Sequence, residues 1–212
     1  MNKISNFRRS SLRLGLNFND IKTIESSLKK NKGNLFLVGG SVRDLILKEK
    51  LNSNPDLVCD LPINLIVQSL KNQKIKVLEV GIKFGSVIAI TKNNPIDITS
   101  MRKDITSDGR YPEIKYTKNI FEDAARRDFT VNSIYCDLQG NLFDPNGGIE
   151  DLKKSRIIFI GRPEERIQED FLRILRFLRF TLLYSNKFDS DGFEGCLKFQ
   201  KKLKNLSFER RL

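Results

Sequence analysis

At Pro163 the hydrophobic period of this 212-residue chain changes. Upstream, short β-branched or aliphatic runs lie between turn residues and read as strands at 35–38, 56–59, 75–80, 86–91, 96–99 and 156–160. Residues 133–138 and 141–143 read as a hairpin around Gln139-Gly140. Between these runs, Asn19 or Asp20 is placed to cap a helix carrying Ile21, Ile24 and Leu28, and 41–47, 63–70 and 121–127 also read as helical. Residues 102–116 are polar, contain Gly109 and Pro112, and read as a mobile loop. Downstream, Pro163 suits a first helical turn, and Glu164 and Glu165 suit the positive end of its dipole. Ile167, Phe171, Ile174, Leu175, Leu178 and Leu182 then recur at helical spacing up to about Tyr184, with a second helical stretch at 193–203. The expected class is α/β of the α+β type, a mixed-sheet domain followed by an all-helical region. The expected division is an N-terminal arm and helix at 1–30, a sheet domain at 31–160 and a helical part at 161–212.

Composition removes several chemistries. The chain has no His, so it has no Ser-His or Cys-His nucleophile pair, no imidazole base and no His-ligated zinc. Its three cysteines, Cys59, Cys136 and Cys196, are far apart and form no C-x-x-C, which argues against a zinc ribbon or dithiol redox site and suits a reducing compartment. No apolar run is long enough to span a membrane. The first sixteen residues are basic and free of acids but lack the apolar stretch of a signal peptide. A cytoplasmic location is expected. The formal charge of +12 favours a polyanionic partner such as nucleic acid or nucleotide.

Four segments carry chemistry-bearing residues. In Leu35-Phe-Leu-Val-Gly39-Gly40-Ser41-Val42-Arg43-Asp44 the glycines let backbone N–H groups approach an anion at a helix start, and Arg43 adds a charged fork; an ordinary tight turn is the plainer reading. Asp56 and Asp97 lie on separate strands. Converging strand carboxylates can hold Mg²⁺, which takes one or two of them plus substrate phosphates; otherwise they are ordinary exposed or paired acids. Arg126-Arg127-Asp128-Phe129-Thr130-Val131-Asn132 suits a phosphate or a ribose, or is simply solvated. In Glu169-Asp170-Phe-Leu-Arg173-Ile-Leu-Arg176-Phe-Leu-Arg179, helical spacing places Glu169, Asp170 and Arg173 on one face, with Arg176 and Arg179 extending the row. Asp170 accepts and Arg173 donates, so the pair can read a nucleobase edge; intrahelical salt bridges are the alternative.

Together these segments resemble one family, the bacterial tRNA nucleotidyltransferases (CCA-adding enzymes) and poly(A) polymerases, from about Leu35 to Leu212. Leu37-Val-Gly-Gly-Ser-Val-Arg-Asp44 is similar to the family's nucleotide-holding opening, Asp56-Leu-Val-Cys-Asp60 to its metal-binding strand, and Ile96-Asp-Ile-Thr-Ser-Met-Arg102 to the strand of the third carboxylate. Residues 102–112, with Ser107-Asp-Gly-Arg110, resemble the flexible catalytic loop. Ala125-Arg-Arg-Asp-Phe-Thr-Val-Asn132 resembles the ribose segment, 143–152 the link from head to neck, and Glu169-Asp-Phe-Leu-Arg173 the protein template for C or A. The resemblance implies a nucleotidyltransferase head followed by the start of a helical neck. It implies template-free addition of C, C and A to the tRNA 3′ end from CTP and ATP, with Mg²⁺ as cofactor. On that basis Asp56 and Asp97 are the catalytic and metal-binding acids. Gly39, Gly40 and Arg43 hold triphosphate, Arg127 and Asp128 the ribose region, and Asp170 with Arg173 the base, while Arg176 and Arg179 support the base pocket and phosphates.

Two departures stand out. The family has Asp-x-Asp where this chain has Asn54-Pro55-Asp56, so an uncharged amide replaces one metal carboxylate. Asp60 and Asp44 are not expected to substitute for it. The family also continues into helical body and tail regions beyond the neck, and a second polypeptide supplying them is an expected partner. The alternatives are a degenerate relative that binds nucleotide or RNA with little activity, a poly(A) polymerase, or a basic RNA-binding module.

Overall fold

The computed structural model of the chain describes residues 3–13, 17–48, 55–92, 94–105 and 113–206. They fall into two compact units, Met1–Arg126 with Ile134–Phe143, and Arg127–Ser133 with Asp144–Leu212. In the first unit the helices are α1 (Phe7–Arg13), α2 (Phe18–Lys29), α3 (Gly40–Leu47), α4 (Ile63–Asn72) and α5 (Ile120–Ala125). The strands are β1 (Leu35–Val38), β2 (Asp56–Cys59), β3 (Lys76–Leu78), β4 (Ser86–Ile90), β5 (Pro95–Ser100), β6 (Arg102–Ile105), β7 (Glu113–Tyr116), β8 (Tyr135–Cys136) and β9 (Leu142–Phe143). Among the described residues the main sheet has seven strands in the order β3-β4-β5-β2-β1-β8-β9, and β6 pairs with β7 as a separate two-stranded sheet. Within the main sheet β2 and β5 run parallel; the other neighbours are antiparallel. The mixed sheet with helices is the class expected.

Burial explains the strands. All four residues of β1 are buried, and in β4 and β5 the buried positions alternate: Val87 and Ala89, then Ile96, Ile98 and Ser100. On the helices, Ile21, Ile24 and Leu28 of α2 are buried where α2 packs on α4, which buries Ile63, Ile66 and Leu70. Each such aliphatic side chain contributes about 1.5–3 kcal/mol on leaving water. A second cluster joins Phe36, Val38, Val58, Met101, Ala124 and Tyr135.

Several boundaries differ from the sequence reading, each for a physical reason. The N-cap of α2 is Asn17, whose side chain accepts from Asp20 N–H; the Asp20 carboxylate instead accepts from the Thr91 hydroxyl at 2.8 Å. The hairpin near Gly140 is present but short, because Asp137 accepts from the N–H groups of Gln139 and Asn141 and closes the turn early. The stretch 102–116, expected as a loop, forms the β6–β7 ribbon, with residues 106–112 outside the described residues.

In the second unit the helices are α6 (Gly148–Lys153), α7 (Pro163–Glu169), α8 (Leu172–Tyr184) and α9 (Ser190–Phe199). An aromatic chain forms its core: Phe129 meets Phe159 edge-on at 4.9 Å, and Phe159 stacks on Phe177 at 5.2 Å. The strand expected at 156–160 is reduced to a bridge between Phe129 and Phe159. Its partner segment turns into a 3-10 helix at Thr130–Asn132 after that single pairing. The expected continuous helix from Pro163 to Tyr184 is broken at Asp170, which is extended (φ −153°, ψ 109°) and whose carboxylate accepts from Leu172 N–H at 3.0 Å. The carboxylate of Asp144 caps α6 through Gly148 and Ile149 N–H at 2.7 and 3.0 Å.

Gly148 touches the Thr130 backbone so closely that an added Cβ would lie 2.1 Å from the Thr130 carbonyl oxygen. Gly148→Ala is therefore expected to destabilise by about 2 kcal/mol or more, since backbone must move to admit it. Urea unfolding checks this, and an unchanged midpoint would show that the contact is looser than described.

Candidate active site

The first unit holds the acidic candidate residues. The β1–β2 register sets Leu37 opposite Leu57, so the Gly39-Gly40 turn follows β1 at the end of β2 where Asp56 lies. Gly39 has φ 63° and ψ −129°, a left-handed conformation that a Cβ would strain. It is the N-cap of α3, whose first N–H groups carry the positive end of the helix dipole. Ser41 Oγ accepts from Asp56 N–H at 3.0 Å, which fastens the start of α3 to the start of β2. Arg43 and Asp44, one turn into α3, are both buried, with Arg43 Nη2 3.3 Å from Asp44 Oδ1.

The parallel pairing of β2 with β5 places Asp56 in register with Asp97. Residues paired in this way project from the same face of the sheet, on strands about 4.8 Å apart. The other face at this point is fixed by burial, since Leu57 and Ile98 are 1% and 0% exposed. Asp56 is exposed and Asp97 half-buried, so this carboxylate pair opens outward. Two acceptor-only carboxylates fit Mg²⁺, which completes its shell with phosphate oxygens and water. No group of three or more acidic, His or Cys side chains suited to a metal occurs among the described residues. Asn54 and the loop residues Ser107 to Arg110 lie outside the described residues. Asp60 is committed elsewhere, accepting from Asn34 N–H and Nδ2, each at 2.7 Å. The thiols of Cys59 and Cys136 are pushed up to about 12 by burial and stay protonated, so they are not nucleophiles.

The second unit holds a cluster of arginines. Asp128 is buried and fully engaged: Oδ2 accepts from Arg176 Nε at 2.6 Å and lies 2.6 Å from Arg176 Nη2. Its Oδ1 accepts from Phe129 N–H at 2.9 Å and Asn132 Nδ2 at 3.1 Å. Arg166 Nη2 donates to the Arg127 carbonyl at 2.7 Å, while Glu169 accepts from both Arg166 and Arg173. Arg173 also donates to the Arg166 carbonyl at 2.7 Å. Burial, and then the neighbouring Arg173 charge, lower the Arg166 pKa from its usual value. Arg176 and Arg179 both lie over the Phe180 ring, 5.5 and 5.6 Å from its centroid.

The common face expected for Glu169, Asp170 and Arg173 is thus realised only for Glu169 and Arg173. Asp170 leaves the helix to cap α8. Sequence reasoning missed Arg166 and the anchoring role of Ser41. Arg166 stands three residues before Glu169 and seven before Arg173, a spacing that was available; the hydroxyl of Ser41 was inside a recognised motif but hidden behind its glycines.

The chain is similar to several known proteins. The family described as "Poly A polymerase head domain" matches residues 35–158. The chain is 34% identical over 194 residues to the human mitochondrial CCA tRNA nucleotidyltransferase 1, covering 90% of this chain and 44% of that protein. It is also 34% identical over 177 residues to the CCA-adding enzyme of Oceanobacillus iheyensis, covering 82% and 43%. The solved structure of the Bacillus stearothermophilus CCA-adding enzyme in complex with CTP matches with a TM-score of 0.80 at 28% identity, over 92% of this chain and 46% of that one. Fold and sequence together define a nucleotidyltransferase-family protein. More narrowly, the chain belongs to the CCA-adding enzyme and poly(A) polymerase head-domain family. It spans less than half the length of these three relatives.

Asp128→Asn would keep the shape of the side chain but lose the charge that holds Arg176. The expected loss is about 2 kcal/mol of stability, read as a lower urea midpoint at unchanged slope. An unchanged midpoint would mean that Arg176 is not anchored there.

Proposed function

We propose that this chain adds C and A to the 3′ end of tRNA from CTP and ATP, without a nucleic-acid template and with Mg²⁺. The observation that carries this reading is the register of Asp56 with Asp97 beside a glycine turn that opens a helix. The formal charge of +12 suits the polyanionic substrates. Asp56 and Asp97 would hold the metal; when bound, it would neutralise triphosphate charge and favour the attacking 3′-hydroxyl. The Gly39-Gly40 turn lets the backbone approach the phosphates, and Arg43 extends the positive potential there. In the second unit Arg127 and Asp128 face the ribose region, with Asp128 oriented by Arg176 and Asn132. Asp170 accepts from, and Arg173 donates to, the base edge, Arg173 being aimed by Glu169 and the Arg166 carbonyl. Arg176 and Arg179, over Phe180, support the base pocket and phosphates. A second polypeptide supplying further tRNA-gripping surface remains part of the proposal, and co-purification identifies it.

A second reading is favoured by one specific residue. Asn54 stands where the family carries an acid, which suits a relative that binds nucleotide with little transfer. Single-turnover extension of tRNA lacking its CCA end separates the two. The proposal predicts extension by the parent chain, with the expected partner present if one co-purifies, and a rate lower by about 10²–10⁴ for Asp97→Asn. A silent parent beside an active Asn54→Asp variant would favour the binding relative. Silence in both would contradict the transferase reading.

A further inference from the structure

Among the described residues the β6–β7 ribbon forms no ladder with the seven-stranded sheet. Its direction is therefore set by whatever holds its base, and the described contacts there converge on α5. Asp123 of α5 is 0% exposed. Its Oδ1 accepts from Arg102 N–H at 3.1 Å, at the first residue of β6. The same oxygen accepts from Arg126 Nε at 2.9 Å and lies 2.8 Å from Arg126 Nη2. Its Oδ2 accepts from the buried Tyr135 hydroxyl at 2.7 Å. One carboxylate thus ties together the exit of the chain from the main sheet, strand β8 and the arginine that ends α5. Neighbouring contacts brace the same point. Thr117 N–H donates to the Met101 carbonyl at 3.1 Å, the Thr117 hydroxyl donates to Glu122, and the Arg102 guanidinium donates to the Phe84 carbonyl.

A buried carboxylate costs several kcal/mol in desolvation unless donors compensate it. A phenol, a guanidinium and a backbone amide together do so, and each donor must then keep its place. Arg102 follows Asp97 by five residues along one nearly continuous run, so the pivot of the ribbon and the acid of β5 share a short, rigid stretch of backbone.

We infer that Asp123, with Tyr135 as its buried partner, is a positioning residue that fixes the base of the β6–β7 ribbon relative to the Asp56 and Asp97 strands. Its effect on turnover rests on the transferase reading; its effect on the ribbon does not. Asp123→Asn replaces an acceptor oxygen by a donor, and Tyr135→Phe removes only the hydroxyl while keeping the ring in its cluster with Phe36, Val38 and Met101. The experiment compares both variants with the parent chain in amide hydrogen exchange, CTP binding and tRNA extension. Exchange at Lys103 to Ile105 and Glu113 to Tyr116 is expected to rise about ten-fold, while β1 and β2 keep their parent rates. The extension rate is expected to fall by about 10–100-fold with CTP affinity unchanged. Unchanged ribbon exchange in Tyr135→Phe would overturn the inference. So would an equal rise in β1 and β2, because that marks general loosening. If Asp123→Asn does not fold, Tyr135→Phe decides. A parent without extension activity refutes the transferase reading, and the exchange result then still decides whether Asp123 positions the ribbon.

Discussion

The parallel pairing of β2 with β5 is the constraint on which the rest of the first unit depends. Parallel neighbours cannot be joined by a tight hairpin and need a crossover. Here α4 and the β3–β4 pair supply it. Alternation then binds packing to chemistry. With Leu57, Ile96 and Ile98 buried, Asp56 and Asp97 must both emerge on the opposite face. A slip of one residue would bury one of these acids and expose an aliphatic, so the hydrophobic core itself holds the two carboxylates in register. Ser41 adds a polar tie by fastening the α3 entry to the same strand end.

The second unit solves a different problem, holding Arg166, Arg173 and Arg176 with two carboxylates, Glu169 and Asp128. Glu169 serves Arg166 and Arg173, and Asp128 serves Arg176. Arg166 and Arg173 also donate to the carbonyls of Arg127 and Arg166, and the Phe180 ring lies under the guanidinium groups of Arg176 and Arg179. Such an arrangement orients cations with little charge neutralisation. It suits a surface that meets phosphate or a polar base edge, and it gives Asp128 a structural task beside the role proposed for it.

What was legible in the sequence follows the hydrophobic pattern. Leu35 to Val38 and Leu57 to Cys59 were readable because they are continuous buried runs, the second entered from the exposed Asp56, and Gly39-Gly40 marked the α3 entry. The acids and arginines were named through family resemblance, and spacing foreshadowed the Glu169–Arg173 ion pair, while the Asp128–Arg176 pairing across 48 residues was not legible. The β6–β7 ribbon escaped because its strands contain Arg102, Lys103, Asp104, Glu113 and Lys115 in place of an apolar alternation. The break at Asp170 escaped because Ile167, Phe171 and Ile174 keep helical spacing through it, and apolar spacing does not record one residue leaving the helix. The contact of Asp123 with Tyr135 joins α5 to a two-residue strand, a pairing that no local pattern encodes.

The central claim is that Asp56 and Asp97 act together as one cation site. Binding of Mn²⁺ in the presence of CTP, followed by electron paramagnetic resonance, tests it most directly and independently of turnover. The account predicts that the parent chain takes up Mn²⁺ with CTP, and that Asp56→Asn and Asp97→Asn each weaken uptake by about 10–100-fold or more. Equal Mn²⁺ affinity in parent and variants would contradict it.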